Sequence, residues 1–338
     1  MTDLAKIPVT IVTGFLGAGK TTLIKHLLAN PGGKRLAVLV NEFGTLGVDG
    51  EILRGCADEN CPEEAILELA NGCICCTVAD EFIPTMEKLL ALEKKPDHIL
   101  IETSGLALPK PLLKAFDWPE IRSRVTVDGV VAMADAETVS AGQFAPEPGR
   151  NGNEHDTPLS EVFGDQMACA DLILLSKADL AGAEKLAQAR EVIVRALPRP
   201  VPMLPIADGV VEARILLGLK AAAEDDVEAR PSHHDGEAEH EHEHDDFSTI
   251  MVELPEQESA ARLLAALENL AREHKILRMK GHVAIAGKPM RLLVQAVGAR
   301  VRSQFDQPWG AQPRASRLVV IAERGDLNER KIRQALAG

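Results

Sequence analysis

Short apolar runs rich in Val, Ile and Leu occur at residues 9–12, 36–40, 98–101, 125–133 and 172–175. They alternate with stretches at 21–29, 80–92, 160–170 and 183–196 whose apolar residues recur every three to four positions. Runs this short, without period-two alternation, predict strands buried on both faces. Such strands separated by helices predict an α/β domain, a doubly wound and mainly parallel sheet with helices on either side. That domain is expected over residues 1–219, with the Pro-, Gly- and Asn-rich segment 143–158 as a surface loop.

The periodicity stops in the next segment, and 220–246 is expected to be a linker. Beyond it the pattern predicts a strand at 249–254, a helix at 259–273, strands at 283–286 and 291–297 about a turn at 287–289, a strand at 318–322 and a helix at 328–336. This is a second, smaller α+β domain over 247–338, large enough to hold its own core.

Length supports the division, since 338 residues exceed what one hydrophobic core usually organises. With 46% hydrophobic and 26% charged residues the chain has the make-up of a soluble globular protein. A net charge of −14 argues against nucleic acid as a partner. The charge is local, however: residues 224–246 hold eleven Asp or Glu against Arg230 alone. No apolar run approaches the roughly 18 residues of a membrane span, and residues 1–8 lack a signal-peptide pattern, so a cytoplasmic protein without a membrane partner is expected. Six cysteines are too few for a disulfide scaffold.

Gly14 to Thr21 reads GFLGAGKT, a full match to G-x-x-x-x-G-K-[ST] placed after a predicted strand and before a predicted helix. Backbone N–H groups around Gly14, Gly17, Ala18 and Gly19 are expected to cradle phosphate oxygens at the helix N-terminus. Lys20 is expected to reach the β- and γ-phosphates, the Thr21 hydroxyl to ligate Mg²⁺, and Thr22 to close the cofactor-binding set. The fold class is thus α/β of the P-loop NTPase type. The strand at 98–101 ends in Glu102, a carboxylate for the Mg²⁺ end of the site, and is followed by Gly105, whose N–H suits the γ-phosphate. Another strand ends in Ser176-Lys177-Ala178-Asp179, close to the N-K-x-D pattern in which Asp accepts from guanine and the Lys stem lies on the base. An acceptor there disfavours adenine.

Three thiols in four positions, Cys73, Cys75 and Cys76, can supply part of a tetrahedral soft-metal site, and the preceding Asn71-Gly72 favours this over a role as small buried hydrophobes. Cys56 and Cys61 are expected to be structural, as are Cys169, His26 and His98. Five of the ten histidines fall between His233 and His244 among carboxylates, which suits weak metal capture or a merely solvated linker.

Together, GFLGAGKTT (14–22), NEFG (41–44), ELANGCICCTV (68–78), IETSGLALP (101–109), SKADL (176–180), the His-rich segment and the small C-terminal domain resemble the CobW-type P-loop metallochaperone GTPases over essentially the whole chain. The resemblance implies GTP and Mg²⁺ as ligands, and Cys73, Cys75 and Cys76 as ligands of Co²⁺ (or Zn²⁺). It also implies a switch role for Glu42 between that metal and Mg²⁺, and guanine reading by Lys177 and Asp179. It further implies delivery of the metal to a receiving protein, the corrin-ring cobaltochelatase, and a nucleotide-dependent dimer. Residue types alone do not choose cobalt over zinc. A passive metal buffer and a P-loop kinase acting on a small precursor remain as alternatives.

Overall fold

The computed structural model describes residues 6–41, 48–69, 81–142, 158–232, 247–274, 276–309 and 314–323, with Arg330, Ile332, Arg333 and Leu336. Glu42, Cys73, Cys75, Cys76, residues 143–157 of the expected surface loop and the histidine-rich segment 233–246 lie outside the described residues. The chain divides into two compact units.

The first unit holds strands β1 (Ile7–Gly14), β2 (Leu36–Asn41), β3 (Ile66–Leu69), β4 (His98–Glu102), β5 (Val125–Asp135), β6 (Leu172–Ser176) and β7 (Met203–Pro205). They form one sheet in the order β3-β2-β4-β1-β5-β6-β7, and every neighbouring pair is parallel. Strands β2, β4 and β6 are buried at every position, which is why they read as uninterrupted apolar runs. The two strands at the sheet edges escaped the pattern. Strand β3 is four residues with Glu68 inside it, and β7 is three residues ending in a proline.

Helices α1 (Lys20–Ala29), α2 (Val48–Arg54), α3 (Ile83–Leu90), α4 (Pro109–Ala115), α5 (Pro119–Arg122), α6 (Ala136–Ser140), α7 (Pro158–Ala168), α8 (Ala178–Ala196) and α9 (Ala213–Leu216) complete the unit. Helix α1 buries Leu23, Ile24, Leu27 and Leu28. Helix α8 starts five residues earlier than its periodicity suggested, because Gly182 (φ 71°) breaks the pattern after a single turn. Strand β1 lies between β4 and β5, so the chain leaves it towards β2 on one side and later reaches β5 on the other. The carboxyl ends of the strands at such a reversal form the crevice where doubly wound sheets bind ligands.

The expected linker begins too early. Residues 220–232 pack on the first unit, with Ala223 and Val227 in its core. The Asp128 carboxylate accepts hydrogen bonds from the Gly218, Leu219 and Lys220 N–H groups at 2.6, 3.0 and 2.9 Å. Glu224 accepts from the Thr126 hydroxyl at 2.6 Å and the Val127 N–H at 2.9 Å. Arg230, only 1% exposed, pairs with Asp171 at 2.9 Å and with Asp226 at 2.8 Å. Counting charges hid these partners: each buried ionic group here has a hydrogen-bonded counterpart, the condition under which such groups enter a core.

The second unit is an antiparallel sheet of β8 (Phe247–Leu254), β9 (Ile276–Val283), β10 (Met290–Val297), β11 (Arg300–Pro308) and β12 (Ser316–Glu323), ordered β11-β10-β9-β12-β8. Helix α10 (Ala260–Glu273) is capped by Ser259, whose hydroxyl accepts from the Arg262 N–H, and buries Leu263, Leu267 and Leu270. Ile332 and Leu336, within the predicted last helix, are helical and buried in the same core. The strand expected at 283–286 is instead the end of β9 followed by a turn. Arg278, Lys280 and His282 interrupt the apolar signal of β9, and the edge strand β11 is mostly exposed and carries almost none.

Candidate functional site

Gly14 closes β1 at φ 129°, against β5: a Cβ there would lie 2.2 Å from the Met133 carbonyl oxygen, so only glycine fits. Gly17 and Gly19 also have positive φ, and Gly19 leads directly into α1. The loop curls over Lys20, whose Nζ donates to the Gly14 carbonyl at 2.6 Å and the Phe15 carbonyl at 3.2 Å. Ala18 is buried, and its N–H donates to the Phe15 carbonyl at 3.2 Å. Thr22 is exposed at the start of α1.

The Thr21 hydroxyl lies 2.8 Å from Asp49 Oδ1 and 2.9 Å from Glu102 Oε1. One hydroxyl has one proton and cannot donate to both carboxylates at once. Asp49 and Glu102 are each 4% exposed. Two carboxylates and a hydroxyl thus converge beside the phosphate loop, and this all-oxygen donor set fits Mg²⁺. Glu102 arrives from the end of β4, as expected. Asp49, on the first turn of α2, was not anticipated; its only sequence signal is an acidic residue shortly after NEFG at the start of a helix.

The chain after β4 turns back onto the phosphate loop. A Cβ on Gly105 would lie 2.7 Å from the Leu16 N, so glycine permits this close approach. Gln166 of α7, fully buried, fixes the turn by donating from Nε2 to the Gly105 and Ala107 carbonyls at 3.1 and 3.0 Å. The Thr103 hydroxyl donates to the Thr13 hydroxyl at 3.0 Å. Nothing in the sequence pairs residue 166 with residue 105.

At the end of β6, Ser176 is buried and its hydroxyl donates to the Ala134 carbonyl at 3.3 Å. Lys177 adopts φ 56°, a left-handed conformation uncommon for a residue with a side chain, and its ammonium pairs with Asp135 at the end of β5. Asp179 is exposed on the first turn of α8. The turn at 206–209 approaches both halves of the site: the Ile206 carbonyl accepts from the Ala178 N–H at 3.1 Å, and a Cβ on Gly209 would sit 3.0 Å from the Leu23 N. Asp135 and this turn were also missed. Asp135 does end an apolar run, the same signal that marked Glu102.

Of the described thiols, Cys61 and Cys169 are buried and Cys56 is partly buried against the core. Burial, with the charge of Asp58 adding, pushes the Cys61 thiol up to about 12, and burial pushes Cys169 up to about 12 as well. Neither is a ready thiolate at neutral pH. His98 is buried with its Nε2 2.8 Å from the Thr10 hydroxyl; burial lowers it to about 4, the Asp128 charge opposing and the Lys34 charge assisting, so it is neutral. Among the described residues no group of three His, Cys, Asp or Glu side chains could hold a metal ion, and no helix is long and apolar enough to cross a membrane.

Residues 8–205 match the family model described as CobW/HypB/UreG, nucleotide-binding domain, and residues 247–338 match that of the cobalamin synthesis protein cobW C-terminal domain. A zinc chaperone CobW from a Sinorhizobium species is 50% identical over 98% of this chain and 96% of its own length. A zinc chaperone CobW from Pseudomonas aeruginosa is 52% identical over 96% of this chain and 90% of its own. The zinc chaperone YjiA of Escherichia coli is 34% identical, covering 98% of each chain.

Proposed function

Because the chain belongs to the CobW/HypB/UreG family and carries both its nucleotide-binding domain and the CobW C-terminal domain, we propose that it is a GTP-hydrolysing metallochaperone whose hold on its metal follows the nucleotide state. The observation that carries the hydrolytic half is the Thr21 hydroxyl set between the Asp49 and Glu102 carboxylates beside the phosphate loop. In this reading the loop N–H groups and Lys20 bind the β- and γ-phosphates, while Thr21, Asp49 and Glu102 hold Mg²⁺. The ion, when bound, supplies positive charge to the phosphate oxygens. The Gly105 N–H donates to the γ-phosphate. Water attacks the γ-phosphorus, the bond to the bridging oxygen breaks, and GDP departs with the electron pair. Asp179 accepts from guanine, and Asp135 steadies Lys177 so that its stem lies under the base.

The cargo site is Cys73, Cys75 and Cys76, with Glu42 linking it to the Mg²⁺ end. Three thiolates suit Zn²⁺ and Co²⁺ alike. The relatives at 50% and 52% identity are both named zinc chaperones, which supports Zn²⁺ as the cargo ahead of Co²⁺. The receiver is a protein that takes a divalent transition metal from thiolates. The nucleotide domain extends to residue 232, 233–246 is the tether, and 247–338 is the C-terminal domain.

Cobalt substitution tests the cargo site. The reduced protein with Mg-GTP is expected to give intense thiolate-to-cobalt charge-transfer absorption at one equivalent of Co²⁺, lost when Cys75 and Cys76 are both replaced by serine, a protonated and poor ligand at neutral pH. Absorption that survives the double substitution would assign the metal elsewhere.

A further inference from the structure

Helix α2 carries Asp49 at one end and Arg54 at the other, about 7 Å apart along a helix that rises about 1.5 Å per residue. Asp49 meets the Thr21 hydroxyl at 2.8 Å. Arg54 Nη2 donates to Glu68 Oε2 at 2.8 Å, with the two side chains 31% and 21% exposed. Glu68 belongs to β3, which ends at Leu69, and Cys73 follows four residues later in the chain. The second carboxylate oxygen, Oε1, is buried with no hydrogen-bond partner among the described residues. It is pressed against Gly50, where an added Cβ would lie 1.8 Å from it. Glycine at 50 thus lets the carboxylate lie flat on the helix that bears Asp49.

These contacts join the two halves of the proposed machinery. One side of α2 touches the Mg²⁺-binding hydroxyl, and the other grips the strand that feeds the thiols. We propose that the Arg54–Glu68 pair, seated on Gly50, is a positioning element that couples the nucleotide site to the metal site. Neither residue is among the phosphate- or metal-binding groups named above. A movement of Asp49 on cation or γ-phosphate binding is carried by the short helix to Arg54 and hence to the end of β3, and a movement of the thiol segment returns by the same route. A half-buried ion pair suits this role, because it holds two elements in register without sealing them into the core. The inference rests on the nucleotide-coupled metal reading above.

Reciprocity supplies the test: whatever factor GTP contributes to metal affinity, metal must contribute to GTP affinity. The affinity of the full-length protein for a non-hydrolysable GTP analogue with Mg²⁺ is measured with and without one equivalent of Zn²⁺. The wild type is expected to bind the analogue at least about fivefold more tightly with Zn²⁺, within the range typical of allosteric coupling. Glu68→Gln and Arg54→Ala should leave the zinc-free affinity within about twofold and bring the ratio close to one. The reversed pair, Arg54→Glu with Glu68→Arg, should recover part of the ratio, which a general loss of packing would not. Gly50→Ala should act like Glu68→Gln by displacing the carboxylate. A wild-type ratio of one would reject the coupled metal site itself. A wild-type ratio that persists unchanged in Glu68→Gln and Arg54→Ala would overturn the positioning role alone.

Discussion

At the scale of single residues, the chemistry sits where strands end. Gly14, Glu102, Asp135 and Ser176 are the last residues of β1, β4, β5 and β6. Most of this was legible, because a strand-end carboxylate and a glycine-rich turn are local patterns. Asp49 and Gln166 were not, since neither ends an apolar strand or lies in a glycine-rich turn, and only the fold brings them to Thr21 and Gly105. Asp49→Asn removes one of the two carboxylates beside Thr21 and should lower GTP turnover roughly 100-fold, the usual scale for losing one electrostatic stabiliser. A Mg²⁺ titration of the steady-state rate should also show a raised requirement. An unchanged rate and Mg²⁺ dependence would remove Asp49 from the site. Asp179→Asn should erode selectivity for GTP over ATP in a competition assay, while an unaltered ratio would mean that another group reads the base. His98 gives a pH prediction. Its folded value of about 4 lies below the ordinary 6.5. Between these values the unfolded chain binds more protons, so stability falls as pH drops through that window, by up to about 3 kcal/mol from this group. Urea melts at pH 4.5 and 6.5 should show a smaller difference for His98→Gln than for the wild type.

At the scale of elements, buried parallel strands announced themselves, and of the four edge strands only β8 did. Strands β2, β4 and β6 are apolar throughout because both faces are covered, whereas β3, β7 and β11 lie at sheet edges and carry charge, proline or too few residues. The segment 220–232 was misread for a related reason: a composition-based view sees unpaired charge where the fold supplies Asp171, Asp226 and the Thr126 and Val127 donors. Removing residues 233–246 should therefore leave the urea midpoint of the nucleotide domain unchanged and lower only the number of weakly held metal ions. Arg230→Ala should cost about 3 kcal/mol, because it strips a buried ion pair from one side. Arg199, 3.3 Å from Asp171, limits the loss. Equal midpoints for Arg230→Ala and the wild type would show that the Arg230 ion pairs contribute nothing to stability.

At the scale of the whole molecule, two compact units, one built on a parallel and one on an antiparallel sheet, follow from two kinds of hydrophobic pattern separated by an acidic stretch. The division was readable from periodicity, and its boundary was not, because the ends of cores are set by tertiary partners. The central claim is that one chain ties GTP to the affinity of a thiolate metal site. The most direct measurement is the Zn²⁺ dissociation constant of the reduced wild-type protein, by competition with a chelator, in Mg²⁺ with a non-hydrolysable GTP analogue and in Mg²⁺ with GDP. The account predicts tighter binding with the GTP analogue by about 1 to 3 kcal/mol, or roughly 5- to 150-fold. Equal affinity in the two nucleotide states would contradict it and leave a metal buffer that happens to bind GTP.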